Sequence, residues 1–242
     1  MRMDRGKMEA ETLEHLKYTY DREERHMKRR ILAFGDSNTW GWNPSNDLKT
    51  VSVRWDDHIR WTGVCQAELG DAFEIINEGL NGRTTVWDDP IEEYRCGKDQ
   101  LPAVMDTAAP FELMVIMVGT NDLKTRFGVP PHDIAAGAGV LLQRALARKG
   151  DFVNGQPKIL LICPPRLGPV SRTVMGPLFG GSEEKSAQLA PFFEKIAAKY
   201  GVDYLNADEI IKSSEIDGLH LDADQHEILG KAIAAKVKKM LA

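Results

Sequence analysis

Short aliphatic runs alternate with longer amphipathic segments along most of the chain. Five runs have the length and the β-branched or aliphatic character of buried strands, and each is bounded by Gly, Pro, Asn or Asp. The predicted strands are 31–34, 73–77, 113–118, 158–162 and 202–205. The segments with the apolar spacing of helices are 56–69, 99–108, 133–148, 183–199 and 223–241. Repeated alternation of this kind predicts right-handed crossovers and an α/β fold, with three α/β/α layers around a five-stranded parallel sheet.

The chain of 242 residues is long enough for one domain with a sizeable core, and it contains no internal repeat or low-complexity linker. We therefore predict a single domain over residues 30–242. Residues 1–29 are a charged N-terminal extension with helix-forming composition and only a thin apolar stripe. This extension is compatible with a solvated arm, with a helix that packs on a neighbouring subunit, or with upstream sequence if translation begins at Met27.

Composition narrows the range of partners. The net charge of −5 leaves no basic excess to neutralise phosphates, which disfavours a nucleic-acid partner. No apolar run approaches the roughly 20 residues that a membrane-spanning helix needs, and the N-terminus lacks the apolar core of a signal peptide. We therefore expect a cytoplasmic protein with neither a membrane nor a nucleic-acid partner.

Three cysteines, Cys65, Cys96 and Cys163, form neither an even set for disulfides nor a CxxC pair for zinc. Cys65 and Cys163 lie in apolar segments and are expected in the core. Cys96 lies in a polar stretch that is also compatible with an exposed thiol. We interpret all three as structural residues of a protein in a reducing compartment, and no metal site is predicted.

Candidate chemistry begins after the first predicted strand. Ligands of parallel sheets bind beyond the carboxyl ends of the strands, so motifs that directly follow strands are the natural candidates. Gly35-Asp36-Ser37-Asn38 stands there, and a tight glycine turn would expose Ser37 as a nucleophile. The same residue types are good caps for a following helix, so this motif alone leaves a purely structural role open.

Two further motifs follow the second and third predicted strands. Gly82 can bring its backbone N–H close to a ligand because no side chain stands in the way. Asn121, in the segment 118–122, can donate its side-chain amide to an oxyanion. Each has an ordinary alternative, since Gly82 can be a turn residue and Asn121 a helix cap or an Asx turn.

A candidate base precedes the last predicted helix. Asp217 and His220 are three residues apart, so both side chains can turn to one side and the carboxylate can fix the tautomer of the imidazole. The alternative is an ordinary surface pair in front of a helix. The other histidines have no aspartate at this spacing upstream within a loop: His15, His26, His58, His132 and His226.

Together the four motifs resemble the SGNH (GDSL) hydrolase superfamily, and the resemblance runs from residue 30 to residue 241. It is strongest to the arylesterase and acyltransferase (perhydrolase-like) branch, in segments 34–42, 54–55, 60–63, 78–80, 83–85, 88–90 and 118–124. The resemblance implies a flavodoxin-like SGNH hydrolase fold and a catalytic triad of Ser37, His220 and Asp217. It places the oxyanion hole at Ser37, Gly82 and Asn121.

The same resemblance implies a serine esterase that hydrolyses short-chain aryl or alkyl esters without a metal or cofactor. Members of this branch also transfer acyl groups to alcohols or peroxide, and some assemble as homo-octamers. A carbohydrate or small-molecule O-acetyl esterase would use the same residues. A non-catalytic ligand-binding domain is disfavoured because no GxGxxG or GxxxxGK stretch is present, and a degenerate hydrolase kept as a scaffold is a third alternative.

Substrate contacts are expected from aromatic and loop residues. All five tryptophans fall between positions 40 and 87, which is compatible with an apolar wall of the site or with packing in the core or at a subunit interface. The long Pro/Gly-rich connection 163–182 is expected to line the entrance or to contact another subunit. The side chains expected to contact the substrate are Asp36, Trp42, Asn81 and Phe179.

Overall fold

The computed structural model describes residues 28–45 and 53–242, which form a sheet with helices on both faces. Its strands are β1 (Arg29–Gly35), β2 (Phe73–Gly79), β3 (Leu113–Met117), β4 (Ile159–Cys163) and β5 (Asp203–Asn206). All neighbouring strands pair in parallel in the order β2-β1-β3-β4-β5. The predicted five-stranded parallel sheet is therefore confirmed.

The helices differ widely in length. They are α1 (Ser37–Trp40), α2 (Trp61–Leu69), α3 (Gly97–Ala108), α4 (Pro131–Ala147), α5 (Gly176–Phe179), α6 (Glu183–Ser186), α7 (Ala190–Tyr200) and α8 (Ala223–Leu241). Short 3-10 turns cover Asn121–Leu123, Thr125–Phe127, Lys149–Asp151, Val153–Gly155, Val170–Arg172 and Ala207–Glu209.

Two apolar cores lie on opposite faces of the sheet because alternate side chains of each strand point to opposite sides. On one face, Leu32 and Phe34 of β1 pack with α3, α4 and α7. On the other face, Ile31 and Ala33 pack with α2 and α8. Both faces of the central strands are buried, which explains their continuous aliphatic sequences and confirms the three-layer architecture.

Two predicted helices have different bounds in the structure. The segment 56–69 becomes helical only at Trp61. The segment 183–199 is divided into α6 and α7, and Pro191 stands in the first turn of α7. Proline is tolerated in a first turn but has no N–H for an interior helical hydrogen bond, so one continuous helix through Pro191 is disfavoured.

The N-terminal extension proposed for residues 1–29 lies almost entirely outside the described residues. Arg29 belongs to the sheet, because it pairs with Phe73 at the start of β1. The three alternatives for the role of residues 1–27 therefore stay predictions.

All three cysteines are free and buried. Cys96 is only 4% exposed, and its thiol donates to the carbonyl of Val86 at 3.3 Å, so the option of an exposed thiol was wrong. Burial raises the pKa of Cys65 to about 12 and raises that of Cys96 as well, which keeps both thiols protonated at neutral pH. Among the described residues, no helix is long and apolar enough to cross a membrane.

Candidate active site

The predicted nucleophile lies where β1 ends and α1 begins. Asp36 caps α1, since its carboxylate accepts from the N–H of Asn38 at 2.9 Å, and Ser37 is the first residue of the helix. N–H groups in the first turn of a helix have no intrahelical partner, so the N–H of Ser37 can face a ligand. The side chain of Asn38 donates to the carbonyl of Leu219 at 3.4 Å and links α1 to the loop that carries His220.

His220 is held in front of Ser37 by a tight loop. Its carbonyl accepts from the N–H of Ser214 at 2.7 Å, and the N–H of Gly218 donates back to Ser214 at 2.8 Å. Gly218 has a φ of 73°, and a Cβ there would stand 2.7 Å from backbone atoms of Val170. The turn therefore depends on glycine for its conformation and for its close contact with the neighbouring loop.

Asp217, His220 and Ser37 form a continuous hydrogen-bonded chain. His220 Nδ1 lies 2.6 Å from Asp217 Oδ2, and His220 Nε2 lies 2.9 Å from Ser37 Oγ. The other oxygen of Asp217 accepts from the N–H groups of Leu219 and His220, each at 2.9 Å. Because these bonds fix the carboxylate, the imidazole is oriented with Nε2 toward the serine hydroxyl.

Gly82 and Asn121 line the same cavity as Ser37 and His220. The side-chain amide of Asn121 donates to the carbonyl of Arg83 at 3.1 Å, which fixes the orientation of the amide. Gly82 has a φ of 80°, and a Cβ there would stand 2.7 Å from an oxygen of Glu92. The positive φ therefore favours glycine at this position. The approach of the Gly82 N–H to a ligand stays a prediction.

The cavity has a volume of about 190 Å³, and Ser37 and His220 both line it. Its remaining lining divides into an apolar and a polar side. The apolar side chains are Trp42, Met175, Leu178, Phe179 and Leu219, and the polar positions are Asn81, Gly82, Glu92, Asn121 and Lys124. A volume below the roughly 300 Å³ of drug-sized sites limits the cavity to small groups.

The polar side includes a cluster of four charged residues that we call the Lys124 cluster: Asp89, Glu92, Lys124 and Arg126. The Lys124 ammonium lies 2.7 Å from Glu92 and 3.2 Å from Asp89, and Arg126 lies 2.9 Å from Asp89. Arg95 also lies 3.8 Å from Glu92, so each carboxylate of the cluster faces two or more cations. Glu92 and Lys124 are the members that line the cavity.

The four residues expected to contact the substrate are not equally placed. Trp42 lines the cavity and stacks on His220 with ring centroids 5.3 Å apart, and Asn81 and Phe179 also line the cavity. The carbonyl oxygen of the Asn81 side chain is buried without a hydrogen-bond partner. Asp36 is different, because its side chain is buried behind the nucleophile and is not part of the lining.

The aromatic wall is smaller than the run of tryptophans suggested. Trp61, the first residue of α2, is buried in the core on one face of the sheet, and Trp87 packs against the core of the opposite face. Trp55 donates to the carbonyl of Leu221 at 3.1 Å, which supports the His220 loop from outside. Of the five tryptophans, only Trp42 lines the cavity. The connection 163–182 does reach it, through Met175, Leu178 and Phe179.

Sequence reasoning did not single out Glu92, Lys124 or Arg83 for the site. Lys124 ends the third motif and Arg83 follows Gly82 directly, so closeness to the motifs was a usable signal for both. Glu92 reaches the cavity only through the folding of the segment 88–95, and nothing local in the sequence indicated it.

Two buried carboxyl groups behind the motifs have unusual acidity. Burial raises the pKa of Asp36 to about 6, although the N–H of Asn38 and the nearby His220 oppose the shift. Burial also raises the pKa of Asp122 to about 7, and hydrogen bonds from Thr85 limit that shift. Desolvation disfavours the charged form of both carboxyl groups, and no cation among the described residues is in direct contact with either to offset it. Within residues 28–45 and 53–242, no group of three or more His, Cys, Asp or Glu side chains could hold a metal ion.

Known proteins resemble the chain over most of its length. A family model described as GDSL-like Lipase/Acylhydrolase matches residues 33–228. Est24, a carbohydrate acetylesterase from Sinorhizobium meliloti, is 39% identical with a TM-score of 0.82, over 88% of this chain and 100% of that one. The aryl esterase of M. smegmatis is 38% identical with a TM-score of 0.82, over 88% and 99% of the two chains.

A more distant solved structure is that of a putative arylesterase from Agrobacterium tumefaciens, which is 34% identical with a TM-score of 0.77, over 88% and 99% of the two chains. A search of curated proteins finds no match. The family model spans far more than half of the chain, and these structures share its fold at well over 30% identity. The chain therefore belongs to the GDSL-like lipase/acylhydrolase family and is a carboxylic-ester hydrolase.

Proposed function

We propose that this esterase works through a triad of Ser37, His220 and Asp217. The observation that carries the proposal is the hydrogen-bonded chain from Asp217 through His220 to Ser37, with spacings of 2.6 and 2.9 Å, at the edge of a small cavity. His220 takes the proton of Ser37 as the hydroxyl attacks the ester carbonyl. Asp217 stabilises the imidazolium that forms and does not itself accept the proton.

The tetrahedral oxyanion is bound by the N–H groups of Ser37 and Gly82 and by the side-chain amide of Asn121. His220 then protonates the leaving alcohol, which leaves an acyl group on Ser37. Water, activated by the same imidazole, attacks this acyl-enzyme and releases the acid. No step of this cycle calls on a group that the chain does not provide.

The preferred substrates under this proposal are short-chain esters of aryl or alkyl alcohols. His220 must reach the leaving oxygen, and Trp42 stacks on its ring, so an apolar alcohol would contact an aromatic surface at that point. The cavity volume of about 190 Å³ favours a small acyl group. The similar protein from M. smegmatis carries the name aryl esterase.

A second candidate is an O-acetyl esterase that acts on carbohydrates or other hydroxylated molecules. The polar side of the cavity favours it, because the unpartnered oxygen of Asn81 and the ammonium of Lys124 could bind hydroxyl groups. Burying an unsatisfied acceptor beside a bound apolar group would cost free energy that a hydroxyl would avoid. Est24, which has similar identity, is named a carbohydrate acetylesterase.

A substrate panel separates the two candidates. Aryl acetates, alkyl acetates and acetylated monosaccharides would be compared by kcat/KM, together with an acyl series from acetate to octanoate. Aryl esters of short acids should lead under the first proposal, and a lead of at least tenfold for acetylated sugars would favour the second. Stoichiometric labelling by a fluorophosphonate, absent in Ser37→Ala, tests the nucleophile in both cases.

Acyl transfer to alcohols is a further part of the proposal. If the apolar surface of Trp42 and Phe179 limits water at the acyl-enzyme, an added alcohol should capture the acyl group well beyond its molar share. The measurement is the ratio of transfer product to acid as the alcohol concentration rises. Product ratios that follow bulk concentrations would exclude this part and leave the esterase proposal intact.

We also propose a homo-oligomer, octameric by resemblance, that works in the cytoplasm. Exposed apolar side chains on the segments beside the cavity support an interface: Ile91, Tyr94, Val174 and Ile216. Three free, buried cysteines are consistent with a reducing compartment. Light scattering coupled to size exclusion would test the assembly, and a monomer at micromolar concentration would contradict it.

A further inference from the structure

Arg83 contacts the loops that carry all three proposed oxyanion donors. It follows Gly82 in the chain, and its carbonyl accepts from the Asn121 amide at 3.1 Å. Its guanidinium donates to the carbonyl of Gly35 at 2.8 Å, two residues before Ser37. One side chain and its own peptide group therefore join the ends of β1 and β2 to the loop after β3.

The surroundings of Arg83 fix the guanidinium in one orientation. Its side chain also donates to the carbonyl of Glu78, and its Nε donates to Gln100 at 2.8 Å. The guanidinium carbon lies 4.0 Å from the centre of the Phe34 ring, which covers one face of the group. The residue is 3% exposed, so neither water nor rotamer exchange competes with these contacts.

The acceptors of Arg83 differ from those of a structural ion pair. All three are neutral oxygens, two of them backbone carbonyls and one a side-chain amide. The guanidinium therefore acts on backbone next to the proposed donors, since it bonds to the carbonyl of Gly35 two residues before Ser37. Preorganised charge and dipoles of this kind stabilise a transition state more than a bound ester.

We infer that Arg83 is the positioning residue of the oxyanion hole, which sets the separation and direction of the Ser37, Gly82 and Asn121 donors. This inference rests on the proposed oxyanion hole. Without the guanidinium, the turn from Leu80 to Arg83 would keep its own hydrogen bond of 3.1 Å, the N–H of Leu80 on Gly35 and the Asn121 amide on its carbonyl, but it would lose the side-chain bonds to Gly35 and Glu78. The same three N–H donors would then be present, but they would no longer point at one position of the substrate oxygen.

The test compares Arg83→Lys, which keeps the charge but loses the planar fork, with Arg83→Met, which loses both. We expect kcat to fall about 10-fold in Arg83→Lys and about 100-fold in Arg83→Met, because a displacement near 1 Å in a site costs rate on that scale. KM should stay within threefold. The inhibition constant of a trifluoromethyl ketone, which forms a tetrahedral adduct with the serine, should rise in parallel with the fall in kcat/KM.

A matched control separates this role from a general loss of stability. Arg29 lies at the opposite end of the same pair of strands, stacks 5.0 Å from the Phe73 ring, and bonds to Glu112. Arg29→Met should lower the thermal midpoint without changing kcat. Every kcat is divided by the fraction of active sites, counted by intact mass after complete fluorophosphonate labelling, so that misfolded protein does not enter the rate.

A milder variant keeps the test decisive if Arg83→Met fails to fold. Gln100→Leu removes one acceptor of Arg83 and should lower kcat about threefold with the same parallel change in ketone binding. Asn121→Ala, measured alongside, should lose about 100- to 1000-fold in kcat as a direct donor. In one outcome, Asn121→Ala loses this activity but the folded Arg83 variants keep their kcat per active site. The inference about Arg83 is then wrong, and the proposed function stands. Gln100→Leu takes the place of the Arg83 variants in this comparison if they do not fold. If none of them loses activity, the oxyanion assignment itself is wrong.

Discussion

The His220 loop and the Lys124 cluster face the same cavity and both bury charged side chains, but they balance charge differently. In the Lys124 cluster, each carboxylate already faces two or more cations. In the His220 loop, the buried carboxylate of Asp217 is held by two backbone N–H groups and by one imidazole. Under the proposed mechanism, this charge balance changes when His220 takes a proton from Ser37.

This difference indicates a structural role for the Lys124 cluster and a catalytic role for the His220 loop. A closed ion cluster has no step in which a new charge must appear, so its main effect is to fix the segment 88–95 against the loop after β3. An imidazole beside a buried carboxylate is poised for one additional charge, and the serine proton can supply it. Removing charge from the two regions should therefore affect different quantities.

The largest expected effect is on turnover in the His220 loop. Asp217→Asn keeps the size of the side chain but no longer favours the tautomer that leaves Nε2 free to accept the proton of Ser37. We expect kcat to fall about 10⁴-fold, as in other serine hydrolases with this change. Steady-state rates with 4-nitrophenyl acetate, with the thermal midpoint as a control, provide the measurement. A loss below tenfold would remove Asp217 from the triad.

The second effect is on stability, in the Lys124 cluster. Asp89→Asn leaves Lys124 and Arg126 without their shared buried partner, and breaking such a group costs about 3–5 kcal/mol. Urea unfolding should show this loss, while kcat per folded molecule changes less than tenfold. Glu227→Gln is the matched control, because its pair with Lys231 is exposed and such pairs contribute at most about 1 kcal/mol. Equal losses in both variants would contradict a role for the cluster in stability.

A smaller effect is expected in the acid range. Burial alone would raise the pKa of Asp89, but the N–H groups of Ile91 and Glu92 and the Lys124 ammonium hold it down at about 2. Because the folded pKa lies below the ordinary value of 3.8, this contribution is present above about pH 4 and is lost as pH falls through 2. Urea unfolding across this range should show a weaker pH dependence in Asp89→Asn than in the original protein. Identical slopes would show that Asp89 does not titrate differently on folding.

The smallest effect is expected at Asp36. Its folded pKa of about 6 lies above the ordinary value of an aspartate, so its ionisation lowers stability as pH rises from about 4 to 6. Asp36→Asn keeps the oxygen that caps α1 and removes this cost, so the thermal midpoint at pH 7 should not fall. Because the side chain does not line the cavity, KM should stay within twofold. A KM raised tenfold in the folded variant would restore Asp36 as a substrate contact.

The sequence by itself determined the strands, their parallel arrangement and the positions of the motifs. Aliphatic runs such as 113–118 read correctly because a strand buried on both faces needs an apolar residue at every position. Gly82 was singled out because a residue without a side chain can bring its N–H close to a ligand, and its φ of 80° is one that other residues rarely adopt. The sequence prediction of one helix over 183–199 was wrong, although Pro191 was a usable signal for the division into α6 and α7.

Only the tertiary structure decided which side chains meet. The loop before α8 packs against α1 and so brings Ser37 and His220, 183 positions apart, to within 2.9 Å. The local sequence pattern of neither segment contains that distance. The local pattern also did not show that Arg83 joins three loops, that Trp42 stacks on His220, or that the side chain of Asp36 is buried. Local pattern records what each segment must bury, whereas contacts between segments depend on how the whole chain packs.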